Sequence, residues 1–72
     1  SEIPDEIGNC TKMTCLYLEY NNLITLPPTI CNLKKMEYFR TRRNPWEWMP
    51  ACIDDAFKVY HKFGSVPGVE RR

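Results

Sequence analysis

The sequence predicts an α/β solenoid closed by an amphipathic helix, and three features of its 72 residues point there. An apolar residue followed by proline recurs every 23 residues, at Ile3 and Pro4, Leu26 and Pro27, and Met49 and Pro50. The same spacing holds for Ile7, Ile30 and Ile53, for Met13, Met36 and Val59, for Leu16 and Phe39, for Leu23 and Trp46, and for Asn21 and Asn44. A fixed period of about 20 to 29 residues with set apolar positions marks stacked repeats, each too small to bury its own apolar face. The run Cys15 to Glu19 alternates, so Leu16 and Leu18 face one way and Cys15, Tyr17 and Glu19 the other. From Pro50 to Phe63 the period becomes helical.

In chain order, residues 1–12 read as the second half of a truncated repeat, with Ile3 to Cys10 surviving. Residues 13–35 form one complete repeat. Its alternating run gives a strand. Pro27 and Pro28 fix φ and cannot donate, which suits the start of a short helical or 3₁₀ stretch, and Ile30 and Leu33 then face inward. Residues 36–49 form a degenerate last repeat, in which Thr41 stands where an inward leucine belongs. Residues 50–64 predict a capping helix with Ile53, Ala56, Phe57, Tyr60 and Phe63 on its apolar face, over Trp46 and Trp48. Asp54 and Asp55 lie near its start, Lys58, His61 and Lys62 near its end, and Gly64 stops it. Residues 65–72, with Pro67, Gly68 and a charged end, predict a flexible tail.

From Met13 to Leu23 the chain reads Met-Thr-Cys-Leu-Tyr-Leu-Glu-Tyr-Asn-Asn-Leu, which resembles the L-x-x-L-x-L-x-x-N-x-L pattern of leucine-rich-repeat proteins. Leu26, Pro27, Ile30 and Leu33 are similar to the 23-residue intracellular subclass that continues L-P-x-x-I-x-x-L. Asn44, Pro45 and Pro50 resemble the stretch that precedes the capping helix in Ras-group scaffolds of this family. The resemblance spans residues 3 to 59 and implies parallel strands on a concave face, short helical or 3₁₀ turns on a convex face, and an asparagine ladder at Asn21 and Asn44. It also implies a protein-interaction role with no cofactor.

At 8.5 kDa and two strands the chain is short for a repeat fold, which needs about three stacked units. The expectation is therefore the C-terminal end of a longer solenoid, continuous with upstream repeats or covered at its open edge by another chain. No run is long enough to span a membrane and the first residues do not read as a signal peptide. Asn44, Pro45 and Trp46 are followed by Glu47 and Trp48 instead of the Cys-x-Cys pair of secreted caps, so the cysteine pattern favours a reducing compartment, the cytoplasm. Cys10 takes the slot of Leu33 and reads as a small core residue, while Cys31 and Cys52 fall on outer stretches. No metal-binding spacing occurs.

The functional candidate is the outward strand face: Cys15, Tyr17 and Glu19 in one repeat, Tyr38, Arg40 and Arg42 in the next. Tyrosine and arginine are favoured at binding hot spots. Tyr17 is expected beside Arg40, and Glu19 paired with Arg42. Arg40, Arg42 and Arg43 suit an acidic protein surface. They also interleave with Tyr38 and Phe39, but a net charge of +1 and so short a strip argue against nucleic acid. Cys15, Tyr38 and His61 share a repeat slot, yet His61 is expected on the cap helix, and no catalytic arrangement is specified. Three function classes result: a scaffold module in signalling that binds a partner protein through the strand face, an end cap with no binding role, or substrate-selecting repeats of a larger enzyme.

Overall fold

A computed structural model describes residues 2–72, and in it residues one 23-residue period apart lie side by side. Strand β1 (Cys15–Tyr17) pairs in parallel with β2 (Tyr38–Arg40), in the register Cys15 to Tyr38, Leu16 to Phe39 and Tyr17 to Arg40. Parallel neighbours need a crossover. Here it runs through a 3₁₀ turn at Pro28–Asn32, one period beyond an equivalent turn at Asp5–Asn9. Each turn follows an extended proline, Pro4 or Pro27, and each is closed by a backbone N–H, Cys10 to the Ile7 carbonyl and Leu33 to that of Ile30.

The two turns pack closely because Gly8 has no side chain. A Cβ there would come within 2.6 Å of the Thr29 Cβ. Thr29 Oγ1 adds a 2.8 Å hydrogen bond to the Asp5 carbonyl. Between strands and turns lies the core of Leu18, Leu23, Leu26, Ile30, Leu33, Phe39, Met49 and Ile53, all nearly inaccessible to water. Cys10, expected in the core, is exposed. Leu33, one period on, is buried, with α1 packed against its 3₁₀ turn.

The single capping helix is two short ones, α1 (Ile53–Ala56) and α2 (Lys58–Lys62), broken at Phe57 with φ −121° and ψ 41°. The break lets Phe57 bury fully against Phe39, edge to face at 4.8 Å, with Tyr60 5.8 Å away. Such aromatic pairs contribute about 0.5–1.5 kcal/mol beyond burial. Phe63, expected on the apolar face, is left 68% exposed, because the chain turns at Gly64 (φ 70°) and the Ser65 N–H closes onto the Tyr60 carbonyl.

Residues 65–72, expected to be a flexible tail, are docked. Val66 is buried, and β4 (Glu70–Arg71) pairs in parallel with β3 (Trp48–Met49). Thr41 supplies part of the reason: buried in an apolar slot, its hydroxyl needs an acceptor and donates to the Ser65 carbonyl. Trp46 donates its indole N–H to the Thr41 carbonyl at 2.6 Å. Trp48, expected beneath the helix, instead carries the Arg72 guanidinium 5.3 Å over its ring. A disulfide joins Cys31, on the second 3₁₀ turn, to Cys52, just before α1. Among the described residues no helix is long and apolar enough to cross a membrane.

Candidate partner-binding face

Alternation along β1 and β2 decides which side chains reach water. Leu16 and Phe39 turn inward, while Cys15, Tyr17, Tyr38 and Arg40 are exposed, Tyr17 at 54% and Tyr38 at 58%. Register then places Tyr17 beside Arg40, and the guanidinium lies 4.7 Å over the tyrosine ring. The same guanidinium reaches Glu19, with Nη1 3.8 Å from Oε1. Glu19 thus pairs with Arg40, not with the expected Arg42. The arginine side chain is long enough to run diagonally from Tyr17 to the residue two places on.

Neither contact is strong. An exposed ion pair contributes about 0.2–1 kcal/mol and an exposed cation–π contact about 0.5–1 kcal/mol. Their effect is to hold one Arg40 rotamer while leaving it in solvent. Arg42 and Arg43 are exposed and make no ion pair among the described residues, so the strip carries surplus positive charge just past β2. Cys15 keeps an exposed free thiol, 3.7 Å from the Thr14 hydroxyl. The Tyr60 phenol is pushed above its usual 10.0 mainly by burial, with a smaller electrostatic contribution from the side of Glu37 and Cys15.

The strand ends are fixed by Asn44. Its Oδ1 accepts from the backbone N–H groups of Asn21 (2.9 Å) and Leu23 (3.0 Å), and its Nδ2 donates to the carbonyls of Leu18 (2.7 Å), Thr41 (3.1 Å) and Arg42 (3.2 Å). One amide thereby satisfies backbone groups of two adjacent coils. Asn21 turns locally, donating to the Glu19 carbonyl at 2.9 Å. Each asparagine follows a residue in the left-handed region, Tyr20 (φ 62°) and Arg43 (φ 64°). Sequence reasoning missed that pair, although both stand one place before the periodic asparagine.

A second cluster lies at the cap, also unforeseen. Arg71 Nε donates to both Asp54 oxygens, at 3.0 and 2.9 Å, and its Nη1 to the carbonyls of Pro67 and Val69. His61 Nε2 lies 2.9 Å from Asp54 Oδ1. The hydrogen bond from Arg71 outweighs the opposing effect of desolvation and, with the charges of Arg71 and His61, holds the Asp54 carboxyl below its usual 3.8. This arrangement ties the tail to α1 and α2. It also turns His61 toward Asp54, away from any stack with Cys15 and Tyr38. No group of three or more metal-ligating side chains occurs among the described residues. Comparison with family models, with curated proteins and with solved structures finds no match to this chain.

Proposed function

We propose that this chain is the C-terminal part of a leucine-rich-repeat solenoid that binds a partner protein through the β1–β2 face. The observation that carries the reading is the constellation of Tyr17, Tyr38 and Arg40, exposed together on two register-paired strands, with the half-buried Glu19 just past β1 paired to Arg40. Tyrosine and arginine are residue types favoured at binding hot spots, and Arg40 already stacks over the Tyr17 ring. Arg42 and Arg43 add unpaired charge, which favours an acidic partner surface and speeds its encounter.

The test is a pair of capture experiments from cell extract, one with the intact chain and one with Tyr17, Tyr38, Arg40 and Arg42 changed to alanine, both checked for folding by circular dichroism. One set of partners should vanish with the four side chains. Retention of the same partners by both forms would transfer the function to the second reading, an end cap. The disulfide and the Asp54–Arg71 contact favour that alternative, since both serve to close the end of the stack.

A further inference from the structure

A groove of about 420 Å³ lies away from the strand face, between the first and second coils and β3. Glu2, Thr25 and Trp48, each 23 residues from the next, line it in a column. Ile24 and Pro27 extend its apolar wall, and Asp5 lines it as a second carboxylate. Ile24 is 42% exposed, more than an apolar residue inside a coil needs to be. The groove's volume falls in the range of about 300–1,000 Å³ typical of specific ligand sites.

We propose that this groove binds an extended segment of a partner protein carrying an arginine or lysine flanked by apolar residues. Charge complementarity selects that occupant. No lysine, arginine or histidine lines the groove, and neither Glu2 nor Asp5 has a basic partner among the described residues. Ile24, Pro27 and Trp48 would cover the aliphatic stem of such a side chain while the two carboxylates meet its charged head. The Trp48 ring already carries one guanidinium, that of Arg72, which is not itself part of the groove wall. The exposed Asn22 amide stands on the same wall and can both donate to and accept from an extended backbone. This site shares no residue with the strand face, so it stands or falls separately from the reading above.

The experiment follows the two tryptophan indole N–H signals in nitrogen-15 spectra of the 72-residue chain, assigned with Trp48→Phe. The probe is a blocked heptapeptide with one arginine between valine and proline residues, compared with versions carrying glutamine or glutamate instead and with blocked arginine alone. The arginine peptide should shift the Trp48 signal, and the glutamine version should bind about fivefold more weakly, the effect expected of two exposed ion pairs. Glu2→Gln with Asp5→Asn should lose a similar factor and keep the parent spectrum elsewhere, whereas Arg40→Ala should bind the peptide unchanged. Equal affinity for the three peptides, no shift at Trp48, or blocked arginine binding as tightly as the peptide would overturn the proposal.

Discussion

The strand face and the cap end are built on opposite terms. On the face, Tyr17 and Tyr38 are more than half exposed and Arg40 is held by two weak surface contacts. At the cap, Phe57 and Ile53 are sealed from water, Cys31 and Cys52 are bonded, and Arg71 grips Asp54 through both oxygens. The cap supplies stability by burial and covalent closure, and the face keeps its side chains available at little stabilising effect. Substitutions should therefore separate the two regions by their readouts.

The largest expected effect is at Phe57, where Phe57→Ala removes the ring that packs against both Phe39 and Tyr60. Truncating a buried phenylalanine costs about 3–5 kcal/mol. In a chain this small that is comparable with the whole stability, so urea unfolding followed by circular dichroism should show the variant largely unfolded. A variant retaining the parent midpoint would mean that the cap is not what holds the chain together.

Next comes the disulfide. Closing a loop across a separation of 21 residues stabilises by about 3 kcal/mol on loop-closure entropy. Adding a dithiol reductant should lower the unfolding midpoint of the parent and leave Cys31→Ser with Cys52→Ser unaffected. Equal sensitivity in both would place the effect elsewhere.

A smaller, pH-dependent effect belongs to Asp54. Its carboxyl is held below 3.8 in the folded chain, chiefly by Arg71. The resulting stability is present above the unfolded value and is lost as pH falls through the lower folded value, so the docked tail should loosen only below about pH 3.8. Amide exchange at Glu70 and Arg72 would report that opening, and Arg71→Ala should remove its acid dependence. Because Asp54 is about half exposed, solvent screening keeps the shift modest.

How much of this was legible depends on whether a feature is periodic. The 23-residue spacing of Leu16 and Phe39, and the prolines before each turn, translate into neighbouring strand residues and equivalent 3₁₀ turns because periodicity reports which residues repeat a backbone position. It says nothing of partners chosen once. The break at Phe57, the docking of Ser65 on Thr41 and the Cys31–Cys52 bond each arise from a single tertiary contact. Thr41 looked like a damaged leucine position when it is the donor that anchors the tail. At the site, register gave the Tyr17–Arg40 neighbours, but the reach of Arg40 to Glu19 depended on a rotamer that no spacing encodes.

Arg40 gives the smallest stability effect and the sharpest contrast with the cap. Arg40→Ala removes a 3.8 Å exposed ion pair and one cation–π contact, so unfolding free energy should change by less than about 1 kcal/mol. Partner capture should nonetheless fall at least tenfold if Arg40 is a hot spot, a loss of about 1.4 kcal/mol or more. Arg40→Lys separates charge from shape: it keeps the positive charge but loses the planar guanidinium over Tyr17, so recovery of capture would assign the role to charge alone. Unchanged capture in Arg40→Ala, with the fold intact, would leave the face as a solvated sheet surface and the cap as the whole of this chain's contribution.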